Sequence, residues 1–424
     1  MNIQRTLPPA AAPIGISDLL HGLTGLFRGA PSVRRLEKEV KNYFGVKHVF
    51  FVSSGKAAFF VILKALKSLA PEKSRVLIPA YTCYSVPSSI VKAGLQVSLC
   101  DITADAFDFD GRLLNDAVTG ETLCVVADHL FGIPADMDRI TRISKERGAF
   151  VVEDAAQAMG GTLQGRLLGT IGDVGFFSLG RGKNITAGSG GIIITNSPVI
   201  AQAIEMEYSR LEDASLLEAV REFAKAVLMS VFIRPSLFWV PSGVPWLRLG
   251  ETIFYKDFPI KKLSGMQAGL LRNFRKRLQT SNEIRKENAA WFKQQFGMGA
   301  DQSAGLPLLR LPLLIKEEKV RKDILARSRE QGAGISHMYP TAINEIPEIR
   351  DQFIGTAYPA AQEVAAQLIT LPTHHLMTKA DRRKICACLN GQDNAAASGR
   401  LRMNGGDRPA VSTSGKTCPD ESAS

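Results

Sequence analysis

Glu153 and Asp154 close the apolar run Phe150-Val151-Val152 in the stretch VVEDAAQAMGG, residues 151–161. A run of that kind lies between layers of helix, where an unpaired carboxylate is costly. At least one of the two acids therefore needs either water or a cationic partner. A candidate partner follows in DVGFFSLGRGKNITAGSGGIIITN, residues 173–196, where two strand-like runs flank a glycine-rich loop carrying Ser178, Arg181 and Lys183. Desolvation in such a loop, with Arg181 close by, would lower the pKa of Lys183 and make its amine nucleophilic near neutral pH. Taken alone, the loop reads as an ordinary surface turn. Together with Asp154 it suggests a Schiff-base lysine and an acid that holds a pyridinium nitrogen, the combination used with pyridoxal phosphate.

The elements that must position these side chains are legible over residues 48–200, where short β-rich runs alternate with helical stretches. HVFFVSS is followed by GKAAFFVILKALKSLA, RVLIPA, LQVSLCDI, TLCVVADHLFG, DMDRITRISKERG, AFVVED, DVGFFSL and GGIIITN. Such alternation predicts an α/β fold, a large domain whose mostly parallel sheet lies between helices. Ligands of such sheets gather at the carboxyl ends of the strands, where Ser54-Gly55, Asp128-His129, Glu153-Asp154 and Ser178 all fall. The large domain is expected over residues 1–260, with a strongly apolar insertion at 215–258. A smaller C-terminal α/β domain is expected over 261–390, led by one long amphipathic helix from about 262 to 300 whose Arg/Lys run forms a solvated face. Residues 391–424, rich in Gly, Ser, Asn and Asp, read as a disordered tail.

With 424 residues, 45% of them hydrophobic, the chain can bury a large core. The net charge of +11 invites polyanions. No basic block with interleaved aromatics and no zinc-finger spacing is present, however, so anionic small substrates are expected and nucleic acid is not. No metal site is expected either. The six cysteines form no CxxC pair, which suits reduced thiols in a cytoplasm, and the N-terminus has no apolar core of a signal peptide. The 215–258 stretch is too broken to span a membrane. It is expected to pack on the domain or on a partner subunit, the alternative for 215–250 being contact with the inner face of a membrane through Trp239 and Trp246.

The segment from VVEDAAQ to GGIIITN resembles the centre of the DegT/StrS-type sugar aminotransferases, fold-type I pyridoxal-phosphate enzymes with an EDxAQ…FSxxxxKxxxxGxGG pattern. SSGKAA, IPAYTCYSV, DHLFGIPADMD, GMQAGLL, HMYP and LITLPTHHLMT extend the resemblance over roughly residues 15–390, most loosely over 205–260. It implies that Lys183 carries the cofactor and shuttles the proton. Asp154 would pair with the ring nitrogen, and Gln157 would reach the ring's phenolic oxygen. Ser178 and the backbone N–H groups of Gly55, Lys56 and Ala57 would bind phosphate at a helix start. His129 and Tyr339 are expected at the substrate, and Glu153 as a structural acid. The pattern departs from the family in three places. Lys56 replaces a threonine, so its ammonium would have to stand in for a hydroxyl. Cys83 stands where an aromatic stacks on the ring, with Tyr81 or Tyr84 as substitutes. Ile260 and Lys262 replace a cross-subunit NxR.

The resemblance implies an aminotransferase that moves an amino group, from glutamate, to a nucleotide-linked keto-sugar for polysaccharide or related biosynthesis, working as a homodimer. Dehydratases of the family replace the lysine by histidine, so Lys183 argues against that reaction. The competing expectation is a regulatory or scaffold protein on the same fold.

Overall fold

A computed structural model describes residues 5–247, 250, 252–299 and 303–390. The expected tail, residues 391–424, lies outside the described residues.

The apolar runs become seven strands of one sheet: β1 (His48–Val52), β2 (Arg75–Pro79), β3 (Gln96–Cys100), β4 (Thr122–Asp128), β5 (Phe150–Asp154), β6 (Val174–Ser178) and β7 (Gly191–Thr195). Their spatial order is β1-β7-β6-β5-β4-β2-β3. The pairs β6–β5, β5–β4, β4–β2 and β2–β3 are parallel, whereas β7 runs antiparallel to both β1 and β6. Strand residues are buried on both faces, which is why the sequence runs are apolar throughout instead of alternating. Val126, Val152 and Phe176 enter one core, and Val125 and Val151 the other.

Helices cover the sheet. α1 (Ile16–Arg28) and α2 (Ala30–Phe44) precede β1, and α3 (Gly55–Leu69) follows it after a two-residue turn. α4 (Leu216–Phe232) occupies the apolar insertion and starts in a capping box of Ser215 and Glu218. It buries Ala219 and Ala226, yet Leu216, Leu217, Val220, Leu228 and Val231 remain 40–70% exposed. Among the described residues no helix is long and apolar enough to cross a membrane.

The single helix expected over about 262–300 is two helices, α5 (Gly265–Leu270) and α6 (Phe274–Gln295). The break has a physical cause. α5 crosses α1 backbone to backbone: a Cβ on Gly25 would lie 2.3 Å from the Gly265 carbonyl oxygen, and one on Gly269 2.2 Å from that of His21. α6 leaves that crossing to pack against the core, and Arg277 Nη1 takes up the Leu270 carbonyl freed at the corner, at 2.6 Å. Nor is the Arg/Lys run of α6 wholly solvated. Arg277 pairs with Asp18 at 3.3 Å, and Arg285 is fully buried.

Beyond α6, β8 (Arg310–Leu314) and β9 (Leu368–Pro372) form an antiparallel pair, accompanied by helices Glu318–Gln331, Pro359–Gln367 and Lys379–Asn390. The chain's first described residues are stitched to this unit. Leu7 N–H donates to the Gly332 carbonyl at 2.9 Å, Arg5 pairs with Asp381 at 2.7 Å, and His374 Nε2 meets the Pro8 carbonyl at 2.7 Å.

Candidate active site

Strand parity separates the two adjacent acids. Successive side chains of β5 point to opposite faces, so Asp154 follows Val152 and Glu153 follows Val151. Glu153, fully buried, accepts the N–H groups of Gly169, Ile171 and Gly172 at 2.7, 2.5 and 2.6 Å, and meets His129 Nε2 at 2.9 Å. Burial alone would raise its pKa. The His129 bond and these N–H groups reverse that and hold it below the usual carboxylate range. Glu153 is thus an anchor for the loop that precedes β6.

His129 belongs to the same knot, away from the substrate role expected for it. Its Nδ1 accepts Ala135 N–H at 3.1 Å, which leaves Nε2 as the donor to Glu153. Both ring nitrogens are used and the side chain has no exposure, so nothing remains for a substrate.

On the other face, Asp154 is only 5% exposed and accepts Ala156 N–H at 3.0 Å. Its register partner on β4 is Asp128, itself 4% exposed, whose Oδ2 accepts the Thr82 hydroxyl at 2.5 Å. Burial pushes both acids up. Against this, Ala156 N–H and the charge of Lys183 favour ionised Asp154, while Asp154 pushes Asp128 further up against the Thr82 hydroxyl and Lys183. Lys183 therefore lies within electrostatic reach of both carboxylates. Its turn is held from α6: Arg285 Nη2 donates to the Lys183 carbonyl at 3.3 Å, Ser281 Oγ to that of Asn184 at 2.7 Å, and Asn282 Oδ1 accepts Asn184 Nδ2 at 3.0 Å. Arg181 is exposed. Sequence reasoning missed the three clamps on α6. The spacing of two of them carried a signal, because Ser281 and Arg285 fall at the helical period of buried Leu278 and Phe292.

The start of α3 faces Ser178. Ser54 Oγ caps the helix by accepting Ala57 N–H at 3.0 Å, so Ala57 is spent on the cap and Gly55 and Lys56 remain as backbone donors at the helix end. A Cβ on Gly55 would stand 3.0 Å from Ser178 Cβ and 3.3 Å from its Oγ. Glycine keeps that cradle open. The Lys56 ammonium does not take the expected place of a hydroxyl; it lies 4.5 Å from the Tyr255 ring centre and 4.8 Å from that of Phe258.

Gln157, one turn beyond Asp154, donates Nε2 to Tyr339 Oη at 2.9 Å, and its Oε1 is buried without a protein partner. One end of this amide is thus available to a ligand. Tyr339 is buried and held at φ 51°, a left-handed conformation that a tyrosine adopts only under constraint. Tyr81, also buried, meets it edge-on at 5.9 Å and donates its hydroxyl to the Met338 carbonyl at 2.5 Å. Cys83 is half-buried.

A lysine, a buried acid, a half-satisfied amide and an open helix start thus meet at the carboxyl edge of the sheet, and together they fit pyridoxal phosphate. This fold is that of the fold-type I pyridoxal-phosphate enzymes. The chain belongs to the DegT/DnrJ/EryC1/StrS aminotransferase family, whose model matches residues 22–230 and 251–390, and the family is pyridoxal-phosphate dependent. The chain is 35% identical over 183 residues to the spore coat polysaccharide biosynthesis protein SpsC of Bacillus subtilis (strain 168), covering 43% of this chain and 46% of that protein. It is 32% identical over 184 residues to the L-glutamine:2-deoxy-scyllo-inosose aminotransferase of Streptomyces kanamyceticus, covering 43% of each. Both matches span less than half of the curated relative's length. In fold it is similar to the E. coli GDP-4-keto-6-deoxy-D-mannose-3-dehydratase with bound hydrated PLP, at a TM-score of 0.72 and 17% identity over 91% of this chain and 100% of that one.

Proposed function

We propose that the protein is a pyridoxal-phosphate-dependent aminotransferase that moves an amino group from glutamate to a keto-sugar carried on a nucleotide, in polysaccharide or related biosynthesis. The observation that carries this reading is the buried Asp154 carboxylate within reach of Lys183 at the sheet's carboxyl edge. When bound, pyridoxal phosphate supplies an aldehyde on an electron-withdrawing cationic ring. Lys183 is the amine that holds it and the base that moves a proton at the substrate carbon. Asp154 would keep the ring nitrogen protonated, and the free Oε1 of Gln157 would accept a hydrogen bond from the ring's phenolic hydroxyl. Ser178 with the N–H groups of Gly55 and Lys56 takes the phosphate. Tyr81 and Tyr339 line the cofactor and substrate side. The basic balance of the chain suits a dicarboxylate donor and a diphosphate acceptor. The working unit is a cytoplasmic homodimer.

Purified protein with added cofactor should show a visible absorption band that glutamate bleaches. Borohydride reduction followed by peptide mapping should mark Lys183, and Lys183→Ala should lack both signals. Protein that stays colourless, or reduction that leaves residue 183 unmodified, overturns the reading in favour of a regulatory protein on this fold.

A second reading concerns residues 215–250. The exposed apolar face of α4, flanked by the exposed Arg221, Lys225 and Arg234, favours contact with an anionic membrane surface. Sedimentation with anionic liposomes should weaken when Leu217, Val220 and Leu228 are replaced by serine. Equal sedimentation discards it.

A further inference from the structure

Two carboxyl groups, not one, occupy the floor of the site. Asp128 and Asp154 end neighbouring parallel strands as register partners, so their side chains leave the sheet on the same face about 5 Å apart. Both are buried. Two like charges at that spacing and burial do not both ionise without matched cations. Among the described residues, the titratable groups facing the pair are Lys183 from the turn after β6, Asp108 toward Asp128, and His129, whose ring N–H goes to Glu153, toward Asp154. Tyr339 also feels Asp128, but burial keeps its hydroxyl neutral. Lys183 is the one amine of this group, and a bound cationic ring would replace its charge without adding a second.

The two acids are not equivalent. Asp154 accepts a backbone N–H, from Ala156, and has Lys183 to favour its charge. Asp128 also has Lys183 and the Thr82 hydroxyl, on Oδ2, to favour its charge, but two acids, Asp154 and Asp108, stand against it. Thr82 donates to Oδ2, so a proton on Asp128 would sit on Oδ1.

We propose that Asp128 is the proton-holding partner of Asp154: at neutral pH it is a neutral carboxylic acid, so that the site offers one negative charge, on Asp154, to one cationic ring nitrogen. Asp128 is a positioning residue that acts through Asp154 and sets the charge the ligand meets. The inference about the ligand rests on the cofactor reading above; the protonation of Asp128 does not.

Infrared difference spectra of the cofactor-free protein test the proton directly. The wild type should show at neutral pH the carbonyl stretch of a neutral carboxylic acid, shifted in deuterium oxide. Asp128→Asn should remove it, and Asp154→Asn, which takes away the charge that opposes ionised Asp128, should make it disappear at a lower pH than in the wild type. Thr82→Val, which keeps both acids, should move the band to higher frequency without abolishing it, and this arm remains if Asp128→Asn fails to fold. Pyridoxamine phosphate, which needs no covalent link to Lys183, then tests the consequence. Asp128→Asn should bind it within about threefold of wild type, and Asp154→Asn should weaken it by about a hundredfold or more, as loss of a buried charge partner does. Absence of the band from the wild type, or its survival in Asp128→Asn, overturns the proposal, as does weakening by Asp128→Asn equal to that by Asp154→Asn. Failure of all forms to bind pyridoxamine phosphate overturns the cofactor reading instead, and the infrared result still decides the state of Asp128.

Discussion

Two adjacent acids on one strand do opposite work because a strand turns alternate residues to opposite faces. Asp154 faces the side of the sheet where Lys183 lies, and Glu153 ties down a loop with three N–H bonds and a histidine. Glu153→Gln keeps the shape but turns an NH2 group toward backbone donors, so it should lower stability by about 3 kcal/mol in urea unfolding at neutral pH. The sign of the pH effect follows from the depressed pKa. Ionised Glu153 stabilises fully above its unfolded value, about 4.3, and that contribution is lost as pH falls through the lower folded value. The glutamine variant should therefore lose less on acidification than the wild type does. At this scale the sequence was partly legible. Asp154, Gln157 and Lys183 could be read from their pattern. The direction of His129 could not, because it depends on which neighbour claims each ring nitrogen.

Among the elements, the strands were the most legible, since burial on both faces writes them as unbroken apolar runs. The corner between α5 and α6 was not. The helical pattern continues through Leu271–Asn273, and only the contact of α5 with α1 reveals why the axis must change. That contact depends on hydrogen atoms where other residues carry a carbon. Gly269→Ala would place a methyl 2.2 Å from the His21 carbonyl oxygen and should cost about 3 kcal/mol or more as α1 is forced away. Urea unfolding measures it. An alanine at Gly120, which nothing approaches within 4 Å, is the matched control. The apolar face of α4 was legible as apolar, but the sequence alone did not say that its large residues would stand outward.

Across the molecule, the first described residues are joined to the segment around His374. His374 holds the Pro8 carbonyl, and burial first, then its neighbours, pushes its pKa down to about 3 despite that bond. Burial and the charges of Arg285 and Arg277 push His375 down to about 4. Unfolded histidines take up a proton near pH 6.5, so the unfolded chain binds protons first and stability falls as pH drops from about 6.5 toward 4. His374→Gln, which can still donate to Pro8, should flatten that decline in unfolding measured across this pH range. An unchanged slope would mean that His374 contributes nothing to it. Such long-range joins were the least legible part of the fold, because neither end of the chain carries a local pattern that names the other.

The clamp on Lys183 has a consequence for how the protein is made. Arg285, which holds the lysine's carbonyl, follows it by 102 positions, and it is anchored in turn to the Leu309 carbonyl and the Thr373 hydroxyl. During synthesis all seven strands leave the ribosome before any of these residues do. The strands are thus made while Lys183 still lacks this support, and translation past residue 373 is the step that completes the clamp.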